Sequence, residues 1–108
     1  MSYYHTMTRK EFADLPEGLK HDYKSLVRLA RGRFQRACMA KRVIPVRTLH
    51  CVDCKALPYP RTVQATCYDH RDYFEPFNVE PVCTWHNIER GYAITTINKL
   101  KLFGVYFY

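Results

Sequence analysis

Two short pairs of metal-binding residues constrain this chain more than any other feature. Cys51 and Cys54 form the first pair, and Cys83 and His86 form the second, with two residues between the members of each pair. Structural zinc is held by four Cys or His ligands in a tetrahedron, and a C-x-x-C turn presents two sulfur atoms together. The four residues therefore predict one structural Zn²⁺ site. Such a metal would stabilise a chain of 108 residues, which is at the small end of what buries a self-sufficient core.

Two further donors leave the ligand set open. His50 and Cys67 are also available, and either could replace one of the four predicted ligands. The sequence starts without the apolar stretch of a signal peptide, so we expect a cytoplasmic location, where thiols bind metals rather than form disulfides. The count of five cysteines also argues against complete disulfide pairing. Cysteines that bind no metal, Cys38 and Cys67, are expected to be buried apolar residues.

The net charge indicates the class of partner. Lys and Arg number 17 and Asp and Glu number 10, which gives a formal charge of +7. An excess of this size in a small chain favours a polyanion, such as nucleic acid, as the partner. The alternative is a charge that only keeps the protein soluble. No run of 18 apolar residues is present, and we therefore expect no membrane partner.

Many of the basic residues fall in a helical N-terminal part, residues 8–42. Thr8 and Glu11 have capping-box spacing and predict a short helix that stops before Pro16. A longer helix is predicted from about residue 16 or 17 to about residue 40, because apolar residues recur there every three or four positions. A basic stripe on that helix is either a contact surface for phosphates or a solvated face, and its residues are Lys20, Lys24, Arg28 and Arg31.

Residues 51–91 form the predicted metal-binding module. Alternation over residues 61–68 predicts one strand, residues 79–82 predict a second, and a helix is expected to begin at Thr84. Residues 43–49 are predicted to be extended. Residues 92–108 are predicted to cover the core as a helix followed by an aromatic strand or tail. The whole chain, 1–108, is thus predicted to be one α+β domain, and the separation of its two ligand pairs suits a treble-clef zinc fold.

Four polar residues form a second pattern inside the module. Asp69 and His70 come at the end of the first predicted strand, Asn78 precedes the second strand, and Asn87 comes early in the helix that follows. With these residues the segment DHRDYFEPFNVEPVCTWHNIERG resembles the HNH, or ββα-metal, endonuclease family, as a small phage-type member. The chain departs from the commonest pattern of that family in two places. His86 stands where Cys is usual, and Asn87 stands where His is usual.

The resemblance implies a role for each of these residues. His70 would be the general base, since the pKa of histidine lies near the working pH. Asp69 and Asn87 would bind a catalytic Mg²⁺ or Mn²⁺ through hard oxygen ligands. Asn78 would brace the loop and orient His70 through a backbone carbonyl group.

Two classes of function follow. The first is a metal-dependent HNH-type endonuclease that cleaves phosphodiester bonds in DNA, in which Arg71 and Arg90 would hold phosphates beside the one that is cut. The second is a non-catalytic, zinc-stabilised module of HNH-like fold that binds nucleic acid, DNA or RNA, or a host or phage protein. Either would act in the cytoplasm, which is that of the host cell if a phage encodes the chain.

Overall fold

The computed structural model describes residues 7–103, which contain helices, a 3₁₀ turn and a two-stranded sheet. The elements in chain order are α1 (Arg9–Ala13), α2 (Glu17–Met39), the 3₁₀ turn (Val46–Thr48), α3 (Val52–Lys55), β1 (Cys67–His70), β2 (Val79–Val82), α4 (Thr84–Arg90) and α5 (Ile94–Phe103). The predicted α+β class is confirmed. Residues 104–108, where an aromatic strand or tail is predicted, lie outside the described residues.

The N-terminal part is helical because its local signals agree. The side chain of Thr8 accepts the backbone N–H of Glu11 at 3.1 Å, and the side chain of Glu11 accepts the backbone N–H of Thr8 at 3.0 Å. This is the predicted capping box, and α1 ends at Ala13, before Pro16. Pro16 stands directly before α2, where its missing N–H costs the helix no hydrogen bond. Both predicted helices are therefore confirmed.

The larger core lies between α2 and α5. Leu19 and Tyr23 of α2 belong to the same buried cluster as Ile97 and Leu100 of α5. The backbone N–H of Ala93 donates a 2.9 Å hydrogen bond to the hydroxyl of Tyr23. Burial of apolar surface is the main favourable term in folding, so α5 covers the core as predicted for the segment after residue 92. The other buried members of this cluster are Phe12, Ala30, Tyr73 and Ala93.

The sheet is one antiparallel pair. Cys67 pairs with Val82, and His70 pairs with Val79. The second strand has the predicted bounds, residues 79–82. The first strand is displaced along the chain, because β1 begins at Cys67 and ends at His70, whereas the alternation predicted residues 61–68.

The displaced strand has a physical reason. Cys51 donates its backbone N–H to the carbonyl of Val63 at 2.7 Å, and Ala65 donates its own to the carbonyl of Leu49 at 2.9 Å. Residues 61–66 therefore pair with the turn that leads into α3, and a turn offers no regular ladder. Ala65 is fully buried, so the alternating pattern correctly indicated a buried position. It did not indicate that this segment lacks regular strand pairing.

Two segments are more helical than predicted. The 3₁₀ turn interrupts residues 43–49, which were expected to be extended, and α3 begins directly after Cys51. The sulfur of Cys51 accepts the backbone N–H of Cys54 at 3.4 Å, which closes this first turn. No helix within residues 7–103 is both long enough and apolar enough to cross a membrane.

Candidate functional site

The two predicted ligand pairs meet in one cluster. Cys51 caps α3, which contains Cys54, while Cys83 precedes α4, which contains His86. Nδ1 of His86 lies 3.5 Å from the sulfur of Cys51 and 3.3 Å from each of the other two sulfur atoms. The sulfur atoms of Cys54 and Cys83 are 3.9 Å apart. All four ligand atoms lie within 4.8 Å of one another.

These separations fit a tetrahedral ion. With Zn–S bonds near ~2.3 Å and Zn–N bonds near ~2.05 Å, a tetrahedron has sulfur–sulfur edges of about 3.8 Å and sulfur–nitrogen edges of about 3.6 Å. The observed distances lie close to both values. The cluster sits in a small second core with Val82, apart from the one between α2 and α5. The three cysteines and His86 could therefore hold a structural metal such as zinc.

The spare donors lie outside this cluster. His50 is exposed and pairs through its backbone with Gln64. The sulfur of Cys67 is partly buried and donates to the carbonyl of Val82 at 3.6 Å. Cys38 is exposed, so the expectation that it is buried is wrong. The reason is its position beside Ala37, which takes the buried place on this turn of α2.

Three further predicted residues line one cavity of about 430 Å³ beside α2. Asp69 and His70 come from the end of β1, and Asn87 comes from α4. The two elements are neighbours because β2 pairs with β1 and runs directly into the start of α4. Arg31 of α2 lines the same cavity. The pattern of polar residues found along the sequence is thus also a cluster in space.

His70 is buried and held in a defined orientation. Its Nε2 lies 2.8 Å from the carbonyl oxygen of Pro76, and its ring stacks on Tyr73 at 5.0 Å between centroids. A carbonyl oxygen only accepts hydrogen bonds, so in the neutral ring Nε2 carries the proton and Nδ1 carries the lone pair. Burial lowers the pKa of His70 below its ordinary value of 6.5, and the charge of Arg31 acts in the same direction. The Pro76 carbonyl and Asp69 oppose that shift.

The carboxylate of Asp69 is fixed by two guanidinium groups. Its Oδ2 accepts from Nε of Arg71 and from Nη1 of Arg90, both at 2.9 Å. Both of these hydrogen bonds reach the same oxygen, Oδ2, and so orient the carboxylate at the edge of the cavity.

Arg90 lies inside the protein, although the sequence predicted that it would lie beside the substrate. It is 1% exposed, and its guanidinium donates to both carboxylate oxygens of Asp53 at 2.7 and 2.8 Å. The same group also donates to Asp69 and to Glu80, the latter at 3.0 Å. A buried charge is costly unless it is paired, and three carboxylates provide the pairing here. Arg90 therefore joins α4 to α3, β1 and β2, and no substrate phosphate can reach it in this arrangement.

Asn78 lies in the loop whose carbonyl contacts His70. Its side-chain amide donates to the carboxylate of Glu75 at 3.2 Å, and its backbone N–H donates to the carbonyl of Glu75 at 3.0 Å. The carbonyl that meets His70 belongs to Pro76, two residues earlier. Asn78 thus closes the loop, and Pro76 in the same loop supplies the carbonyl that contacts His70.

Three of the four residues of the predicted basic stripe remain exposed. Lys24, Arg28 and Arg31 line an open depression of about 590 Å³ on α2. Lys20 is different, because its ammonium group donates to the carbonyl of Ala13 at 2.9 Å and pairs with Glu17 at 2.7 Å. The surface available to an anionic partner is therefore formed by the other three residues.

Some residues of the site had no functional signal in the sequence. Tyr73 stacks on His70, yet its place in a polar loop did not suggest an interior ring. Asp53 stands between two cysteines, and nothing in that spacing indicated its ion pair with Arg90. Phe34 meets His70 edge to face at 5.5 Å, and its place on the apolar stripe of α2 was the one available hint.

Comparisons with protein-family models, with curated proteins and with solved structures returned no match.

Proposed function

We propose that this protein is a metal-dependent HNH-type endonuclease with a treble-clef zinc site, acting on phosphodiester bonds in DNA. The single observation that carries the proposal is that Asp69, His70 and Asn87 line one cavity. Those three residue types supply what hydrolysis of a phosphodiester needs, a base for the attacking water and oxygen ligands for a cation.

His70 is suited to act as the general base. Its Nε2–H is directed to the Pro76 carbonyl, so Nδ1 is the nitrogen able to take a proton from water. Burial lowers the pKa of His70, which keeps the ring neutral at physiological pH. The stacked ring of Tyr73 limits rotation of the imidazole. A base held in one orientation and one protonation state is what efficient proton transfer requires.

Asp69 and Asn87 are the residues that would hold a divalent cation. Two arginines donate to Oδ2 of Asp69 and orient the carboxylate, so Oδ1 is the oxygen that would bind a cation. The side-chain oxygen of Asn87 is a neutral donor on the same cavity. Mg²⁺ and Mn²⁺ prefer such hard oxygen donors. When bound, the cation would supply stabilisation of the charge that develops on the leaving oxygen.

The experiment is a cleavage assay on the zinc-loaded protein with Mg²⁺ or Mn²⁺ and supercoiled plasmid or labelled oligonucleotides. His70→Ala should lower the rate by about 10²–10⁴-fold, the usual contribution of a general base. Asn87→Ala should weaken the metal-dependent cleavage activity without changing zinc content. His50→Ala is the matched control, since His50 is exposed and lies outside the cavity, and it should cleave as the wild type does.

A non-catalytic binding module is the second candidate. The observation that favours it is the pairing of Asp69 with two arginines, because an ion pair of this kind can be purely structural. The wild type would then bind nucleic acid or a protein partner but cleave neither DNA nor RNA with any divalent metal. Calorimetric titration with Mn²⁺ separates the two candidates, since the nuclease requires a binding event that Asn87→Ala weakens.

A further inference from the structure

Gly32 lies in the middle of α2 without a structural need for glycine. A Cβ atom at this position would meet Nη1 of Arg36 at 3.5 Å, an ordinary contact with the end of a flexible side chain. The helix continues unbroken from Glu17 to Met39. Glycine in a helix interior is less stable than alanine, because it loses more conformational freedom on folding. Neither packing nor backbone conformation therefore accounts for this residue.

The surroundings of Gly32 are basic and open. Together with Lys24, Arg28, Arg31 and Gln35, it lines the depression of about 590 Å³ on α2. Helical side chains lean towards the N-terminus, so a side chain at position 32 would cover the surface between Arg28 and Arg31. Its absence leaves a notch beside Arg28, Arg31 and Gln35, with the guanidinium group of Arg36 at its edge, which we call the Gly32 notch.

The Gly32 notch adjoins the cavity of His70. Arg31 and Gln35 line both the notch and that cavity. Nη2 of Arg31 lies 3.5 Å from the hydroxyl of Tyr73, whose ring stacks on His70. An extended polymeric ligand that reaches from the notch to His70 would therefore pass Arg31.

We propose that the Gly32 notch seats a backbone phosphate of the bound nucleic-acid strand, next to the phosphate that lies at His70. This inference rests on the proposed function, which supplies the nucleic-acid strand as the ligand. It adds a defined phosphate subsite to that function. Guanidinium groups bind phosphate oxygens through paired, charge-assisted hydrogen bonds. Arg28 and Arg31 supply two such guanidinium groups. Without a Cβ atom at position 32, the phosphate can approach the helix surface between these side chains.

The test uses Gly32→Ala and Gly32→Leu in the full, zinc-loaded chain. Gly32→Ala should raise the melting temperature by roughly 2–8 °C, because alanine favours the helix. The same change should weaken binding to fluorescently labelled DNA by about 3–10-fold, measured by anisotropy without divalent cations, and Gly32→Leu should weaken it further. On duplex DNA the slope of log affinity against log salt should become shallower by about 0.9, the value for one phosphate contact, although no charge is removed.

Two arginine variants are the matched controls. Arg28→Ala removes a charge at the notch, whereas Arg33→Ala removes one from another side of α2, beside a different depression. Arg28→Ala should weaken binding more. The proposal is overturned if Gly32→Ala binds DNA as the wild type does, or if the wild type binds a polyglutamate peptide but not DNA. If the wild type binds DNA through the notch but never cleaves it, the nuclease function fails and the subsite stands.

Discussion

A single buried guanidinium group, that of Arg90, links the Cys/His cluster, formed by Cys51, Cys54, Cys83 and His86, to the His70 cavity. It binds Asp53, which lies between the two cysteines of α3, and Asp69, which lines the cavity. The side chains of Arg90 and Asp53 are 0% and 8% exposed, so solvent screens their pairing little. Glu80 is 39% exposed and contributes less. One residue thus couples the structural site to the proposed catalytic one.

Replacing Arg90 by methionine should therefore destabilise the protein strongly. Arg90→Met keeps an unbranched apolar stem but removes the guanidinium group that pairs with the buried carboxylates of Asp53 and Asp69, and the expected loss in free energy of unfolding is about 3–5 kcal/mol. Urea unfolding with saturating zinc measures it. Lys55→Met removes an exposed charge nearby and should change the free energy by no more than about 0.5 kcal/mol. Equal midpoints for the two variants would show that the network does not stabilise the fold.

At the scale of elements, local signals predicted what local interactions form. The capping box at Thr8 predicted α1. The strand β2 begins at Val79 and ends at Val82, and α4 begins directly after Cys83, as predicted. The first strand was predicted too early in the chain. Residues 61–66 pair with the turn at Leu49 and not with a strand, and an alternating sequence cannot reveal which partner a segment has. Spacing predicted the four residues that come together in the Cys/His cluster, but the ion pairs of Arg90 depend on tertiary contacts that no sequence period encodes.

The Cys/His cluster joins α3 to the start of α4, and a metal bound there would hold the two elements together. Its ligands come from the start of α3 and the start of α4, and the core around them is small. Binding free energy of a structural metal is folding free energy in such a module. We therefore expect one zinc per chain, bound through Cys51, Cys54, Cys83 and His86.

Cys54→Ser tests this expectation. The variant should lose zinc and the cooperative melting transition, because a hydroxyl group is a poor replacement for a thiolate ligand. Cys38→Ser is the matched control, since Cys38 is an exposed cysteine outside the cluster, and it should keep both. Metal analysis and circular dichroism on the same samples provide the measurement. Wild-type protein that contains no zinc yet melts cooperatively would contradict the proposed role of the cluster.

At the scale of the whole molecule, the position of the charges matters more than their sum. Several acidic residues are buried, among them Asp22, Asp53, Asp69 and Asp72. Lys24, Arg28 and Arg31 remain exposed on α2, beside the cavity of His70. These three positive charges therefore face outwards on the side of the molecule that holds the cavity. An anionic partner would be attracted to the surface that adjoins the cavity.

The last prediction is that salt weakens nucleic-acid binding steeply. If Lys24 neutralises one phosphate of duplex DNA and Arg28 and Arg31 together neutralise the phosphate in the Gly32 notch, log affinity should fall against log salt with a slope of about −1.8, since each phosphate contributes about −0.9. Lys24→Ala should make the slope shallower by about 0.9. Lys20→Ala should leave it unchanged, because the ammonium group of Lys20 is already bound to Glu17 and Ala13. An affinity that barely changes across the salt series would instead indicate a protein partner, whose contacts release few counterions.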